Sequence, residues 1–161
     1  MKKISVALIG ILMLVVLAAC GGGVPKAAAI DPDKDICEIC KMAVKDNQFA
    51  TQIILADKKV LKFDDLGCMA QWLKENKDED IAVKYVRDYK SKKWIDYDEA
   101  TYVYNADTKT PMSYGVISFE KAQEAKDFAA KHEGSEVMTA KELKDHKFKM
   151  NNMGGMNTHT H

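Results

Sequence analysis

The sequence predicts an α+β fold built from two similar small β-β-α-β units packed together, with a flexible N-terminal tether and a disordered Met/His-rich C-terminal tail. Three observations predict it. Alternating apolar stretches lead into apolar runs at helical spacing, this plan recurs in the second half at a constant offset, and both ends of the chain lack periodicity.

The first element is an export signal. Lys2 and Lys3 precede an apolar stretch from Ile4 to Leu17, broken only by Ser5 and Gly10 and followed by Ala18 and Ala19. The stretch falls short of the roughly 20 residues that span a bilayer as a helix. Leu17-Ala18-Ala19-Cys20 resembles the bacterial lipobox, so residues 1–19 are read as a lipoprotein signal peptide and Cys20 as the lipid attachment point. An ordinary secretory cut after Ala19 would leave Cys20 as an exposed spare thiol, a liability outside the cell. Two acyl chains hold a protein stably on a membrane. The expected location is therefore extracytoplasmic, anchored to an envelope membrane; inner, outer and Gram-positive plasma membranes all fit. Residues 20–35, rich in Gly, Ala and Pro, are the tether.

The first unit is assigned to residues 36–100. Phe49, Thr51, Ile53 and Leu55 share one face of a period-2 pattern, and Val60 to Phe63 follows across Asp57-Lys58-Lys59, as in a β-hairpin. Asp64 or Asp65 caps a helix carrying Leu66, Met69, Ala70 and Leu73 on its apolar face and ending near Asn76. Ile81, Val83 and Tyr85 alternate as a third strand. Another strand starts at Trp94, and Thr101 to Tyr104 is strand-like in composition.

The second unit is assigned to residues 101–147. Val116-Ile117-Ser118-Phe119-Glu120-Lys121 repeats Val60-Leu61-Lys62-Phe63-Asp64-Asp65, and the following helices carry Trp72 and Phe128 at matching places. Ala122, Ala125 and Ala129 supply an apolar face, with Gly134 as a helix stop. Glu136 to Met138 closes the unit as a strand. Thr139-Ala140-Lys141-Glu142 has capping-box spacing and starts a short helix through about His146. Residues 148–161 form the tail.

Composition narrows the function. Loss of residues 1–19 removes two of 24 basic residues and none of 24 acidic ones, leaving a formal charge of −2 with His neutral. That balance carries no nucleic-acid footprint. With Cys20 lipidated, Cys37, Cys40 and Cys68 remain, an odd set that argues against a disulfide framework.

The chemistry concentrates in Cys37-Glu38-Ile39-Cys40-Lys41-Met42. Thiolates and thioethers select soft metals, above all Cu(I). Rival readings exist. Structural zinc needs four good ligands, yet only Cys68 remains as a core thiol and every His lies in the last thirty positions. A redox pair would sit where a strand enters a helix, whereas here Asp31-Pro32-Asp33-Lys34-Asp35 precedes it. A simple Cys37–Cys40 disulfide is the third rival. Cys68 opens the first helix, where the helix N-terminus should lower its pKa and suit it as a ligand; packing is the alternative. Met112, beside Pro111 in a loop between the units, is either an exposed thioether ligand or a plug. Met150, Met153 and Met156 with His159 and His161 offer labile auxiliary ligands, or form a low-complexity tail without a role.

With Cys37-x-x-Cys40-x-Met42, Phe63-Asp64-Asp65 entering a helix, and Thr110-Pro111-Met112 in order behind a lipobox, the chain resembles the NosL family of copper chaperones over roughly Ile36 to Met138. It departs from the family at Lys41, where many relatives carry Gly and a bulkier residue restricts the turn bringing Met42 round. The resemblance implies Cys37, Cys40, Met42 and Met112 as Cu(I) ligands and no catalysed reaction. It also implies nitrous-oxide reductase and its ABC-type maturation complex as partners. The alternative from another class is an envelope thiol-disulfide oxidoreductase using Cys37 and Cys40. A metal-independent assembly scaffold is a third.

Overall fold

A computed structural model describes residues 23–150 of the chain. Two antiparallel sheets carry the fold. The first contains β1 (Thr51–Leu55), β2 (Val60–Phe63), β3 (Ile81–Arg87) and β4 (Trp94–Asp96) in the order β2-β1-β3-β4, with α1 (Leu66–Glu75) between β2 and β3. The second contains β5 (Thr101–Tyr104), β6 (Val116–Phe119) and β7 (Glu136–Thr139) in the order β6-β5-β7, with α2 (Ala122–Ala129) before β7 and α3 (Ala140–Asp145) after it. Each half is thus β-β-α-β, and the first adds β4. Among the described residues no helix is long and apolar enough to cross a membrane.

The hairpin register pairs Thr51 with Phe63 and Ile54 with Val60. All five residues of β1 are buried, whereas the alternating pattern predicts one buried face. The second face is covered by the chain before the sulfur motif. Gln52 exchanges hydrogen bonds with the Ala28 backbone at 2.9 and 3.0 Å, the Tyr85 hydroxyl donates to the Pro25 carbonyl, and Ile30 is buried. The tether expected to run to residue 35 therefore ends earlier, because Ala28 and Pro25 pair the Gln52 amide of β1 and the Tyr85 hydroxyl of β3, and Ile30 is buried. Phe49, expected on the strand face, precedes β1 and packs with Tyr89 in the core of the other half.

Asp65 is the N-cap of α1, accepting from the Gly67 N–H at 2.9 Å, and Asn76 ends the helix. Met69 is fully buried in a core that includes Phe63, Tyr102, Val116 and Leu143 and so belongs to both sheets. A smaller cluster of Val103, Ile117, Phe119 and Ala125 lies under α2. That helix ends at Ala129, ahead of Gly134: the His132 ring stacks on Phe128 at 3.9 Å and the intervening residues make turns, with Gly134 at φ 76°. The capping box at Thr139 and Glu142 forms as its spacing predicts.

Asp88 stitches the halves together. It forms a parallel bridge with Ser118 of β6, its Oδ1 accepts from the Glu120 N–H at 2.9 Å, and the Tyr89 N–H donates to the Ser118 carbonyl at 2.8 Å.

Candidate metal centre

The sulfur motif folds as a miniature hairpin. Ile36 and Ala43 form an antiparallel bridge, the Cys37 N–H donates to the Met42 carbonyl at 2.8 Å, and the Lys41 N–H returns to the Cys37 carbonyl at 3.1 Å. Closing so tight a turn requires a left-handed residue, and Lys41 supplies it with φ 62°. A side chain in that region costs roughly 1–2 kcal/mol, so this is a site where glycine would be less strained. The turn docks on the free edge of β2, where the Lys62 carbonyl accepts from the Glu38 N–H at 3.1 Å.

Docking there brings the motif against the β2–α1 junction. The Sγ atoms of Cys37, Cys40 and Cys68 and a carboxylate oxygen of Asp64 all lie within 4.8 Å of one another. A metal–sulfur bond of about 2.3 Å places two ligand sulfurs at most about 4.6 Å apart, so the four donors need little movement to close on one ion. The Cys40 thiol donates to Asp64 Oδ1 at 3.3 Å. The three cysteines are free thiols.

The electrostatics divide the thiols. Donation by the Cys68 thiol, helped by backbone N–H groups and opposed by burial, brings Cys37 down to about 6. Burial pushes Cys40 up to about 12, reinforced by its hydrogen bonds to Cys37 and Asp64. Cys68 is raised as well, first by its hydrogen bond to Cys37 and then by burial. The expectation that the helix N-terminus lowers the Cys68 pKa is thus reversed: its proton is held between its own sulfur and the Cys37 thiolate. Near neutral pH the group carries one thiolate and two thiols.

Exposure divides them too. Cys37 is 0% and Cys68 1% exposed, Cys40 is half-buried, and Met42 is 55% exposed. Met42, Asp64, Phe49 and Pro111 line a cleft of about 320 Å³, with Lys45 and Lys109 on it, and Asp64 links it to the Cys40 thiol. Met112, expected to be exposed, is half-buried and packed against the main core, and its N–H donates to Asp65 Oδ2 at 2.9 Å. Pro111 beside it is the exposed residue. Met150 is exposed; Cys20, Met153, Met156, His159 and His161 lie outside the described residues.

Asp64 is the donor that the sequence reading did not single out. The signal was two adjacent acids where one suffices to cap a helix. In the second half Glu120, Lys121 and Glu124 stand at the places of Asp64, Asp65 and Cys68, so the repeat keeps the fold without the sulfur chemistry.

A crystal structure described as the copper chaperone NosL from Shewanella denitrificans has the same fold, with a TM-score of 0.62 and 18% identity over 71% of this chain and 92% of that one. No curated protein sequence matches the chain. The NosL family model matches residues 28–148, which begins inside the segment that packs on β1 and spans the sulfur hairpin, the β2–α1 junction and both sheets, and the chain belongs to the NosL family.

Proposed function

We propose that this protein is an extracytoplasmic, lipid-anchored Cu(I) chaperone that delivers copper for assembly of the nitrous-oxide reductase copper centres through an ABC-type maturation complex. The convergence of three thiols and a carboxylate in a NosL fold carries the reading. Soft sulfur donors favour Cu(I) over harder cations. A low-coordinate Cu(I) passes on by stepwise ligand exchange, a partner's sulfur or imidazole entering before a donor sulfur leaves. Met42 and Met112 are the weak ligands in this scheme, and the Met/His tail concentrates copper near the core site.

The oxidoreductase alternative fits the geometry poorly. Attack on a disulfide needs an accessible thiolate, but the thiol with the lowered pKa, Cys37, is wholly buried. Zinc gains from Asp64 the fourth donor that the sequence reading lacked.

Anaerobic Cu(I) titration of the mature protein against a chromophoric chelator tests the function, with Cys37→Ser, Cys40→Ser and Met112→Ala alongside. One tight Cu(I) that displaces stoichiometric Zn(II), weakened in all three variants, is expected. Binding no better than background, together with reduction of insulin disulfides by the Cys pair, would establish the enzyme instead. Lipid anchoring is tested by Cys20→Ala, which should move the protein from the membrane to the soluble fraction. For the recipient, copper loading of nitrous-oxide reductase should fall when the protein is absent.

A further inference from the structure

The sulfur donors of this pocket differ in their access to solvent, and access decides what a transfer site can do. An incoming ligand reaches a bound ion only from the side where the ion's own ligands meet solvent. Cys37 and Cys68 are sealed, at 0% and 1% exposure, beneath the hairpin and the first turn of α1. On the open side stand Cys40, half-buried, and Met42, 55% exposed. Cys40 belongs to both sets: its sulfur lies within 4.8 Å of the other two thiols, and it donates to Asp64 Oδ1 at 3.3 Å on the wall of the cleft that Met42 lines.

We propose that the pocket holds copper in two positions that share Cys40: a closed one formed with Cys37 and Cys68, and an open one formed with Met42, from which the ion leaves. The inference rests on the copper reading above and deepens it by making Cys68 a ligand and by separating holding from release. In the closed position three sulfurs surround the ion, two of them sealed from solvent, and an acceptor can approach only past Cys40. In the open position two buried ligands have been given up for one exposed thioether, a weaker donor. The turn favours this exchange. Cys40 and Met42 flank Lys41, whose φ of 62° bends the chain between them, and Met42 stands at the solvent rim. No electron is transferred in the step: copper remains Cu(I), one set of Cu–S bonds breaks as the other forms, the protons leaving Cys40 and Cys68 on loading go to water, and Cys68 takes one back from water as the ion moves to the open position.

The test compares Cys68→Ala and Met42→Leu in the full mature chain loaded with Cu(I). Affinity comes from chelator competition, and release rate from stopped-flow transfer to excess bathocuproine-type chelator. Cys68→Ala should weaken binding at least about tenfold and speed release by a similar factor, because the ion is confined to the open position. Its X-ray absorption spectrum should show fewer sulfur neighbours than that of wild type. Met42→Leu, which keeps the volume of an exposed side chain, should slow release about tenfold and weaken binding less than Cys68→Ala does. Opposite changes in release rate are the signature, since a merely structural loss would speed release in both. Cys68→Ser keeps the size of the side chain and decides the matter if Cys68→Ala fails to fold by circular dichroism. Unchanged affinity in the Cys68 variants, or faster release from Met42→Leu, overturns the two positions and leaves the copper function standing. A wild-type protein that binds no Cu(I) removes that function and this inference with it.

Discussion

Asp65 holds Met112. One carboxylate oxygen accepts from the Gly67 N–H at 2.9 Å and caps α1, while the other accepts from the Met112 N–H at 2.9 Å. A single buried side chain thus ties the helix that carries Cys68 to the loop that carries Met112, across the boundary between the two halves. In the second half Lys121 stands at the corresponding place and makes no side-chain cap, so the tie exists only beside the sulfur centre.

Asp65→Ala should therefore cost more than a lost cap. Removing an N-cap carboxylate costs typically about 1 kcal/mol, and leaving the Met112 N–H without its partner adds about 1–3 kcal/mol. Asp65→Asn keeps one acceptor oxygen and should fall between wild type and Asp65→Ala. Urea unfolding of the three proteins checks the order; equal midpoints for Asp65→Asn and Asp65→Ala would show that the cap contributes nothing.

Gly67→Ala is a second point of strain. A β-carbon at position 67 would lie 2.1 Å from Cδ2 and 2.2 Å from Cγ of Tyr114, so the whole ring must move. The ring also meets Phe148 edge-on at 6.0 Å, at the base of the C-terminal tail. Overpacking of this kind costs roughly 1–3 kcal/mol. The expected outcome is a lowered Tm with an altered near-UV aromatic spectrum. The double variant Gly67→Ala/Tyr114→Ala should lose less stability than the two single losses combined, and strict additivity would remove the steric account.

The fold was legible where local chemistry decides it. The duplicated β-β-α-β plan, the Asp cap of α1 and the Thr139 capping box depend on neighbours in sequence, and the elements form as the pattern predicts. What escaped depends on distant chain. The second face of β1 is buried because Ala28 pairs with Gln52, 24 residues on. Cys68 became a high-pKa thiol because the hairpin delivers the Cys37 sulfur to it, a contact that overrides the helix N-terminus. Asp64 looked like a spare cap until the same docking placed Cys40 against it.

Asp88 governs acid stability at the seam between the halves. Its burial would raise its pKa, but hydrogen bonds from the Glu120 and Ser91 N–H groups and the Ser91 hydroxyl hold it below the usual 3.8. A folded-state pKa below the unfolded one means the stabilisation is complete above about pH 4 and is lost as pH falls through the folded value. Asp88→Asn should destabilise the protein by about 1–3 kcal/mol near neutral pH, and the gap to wild type should narrow near about pH 3. Urea midpoints at the two pH values check this; a gap that widens in acid would contradict the sign.

Copper loading should release protons in a number that reports which thiols are used. Ligand sulfurs must be deprotonated, so affinity rises with pH by one logarithmic unit per unit for each proton displaced. Cys37, at about 6, is already a thiolate at neutral pH and contributes almost nothing. Cys40, pushed up to about 12, and Cys68, also raised, are protonated and each surrender one proton when they bind the ion. The apparent log affinity should therefore climb with a slope of about two between about pH 7 and 9, falling to about one in Cys68→Ala, where the ion is confined to Cys40 and Met42 and only Cys40 gives up a proton. Below about pH 6 Cys37 itself begins to take up a proton, and the wild-type slope should steepen by a further unit. Chelator competition at a series of pH values, corrected for protonation of the chelator, measures the slope. A wild-type slope near one would confine the ion to Cys37 and Cys40 and take Cys68 out of the coordination shell.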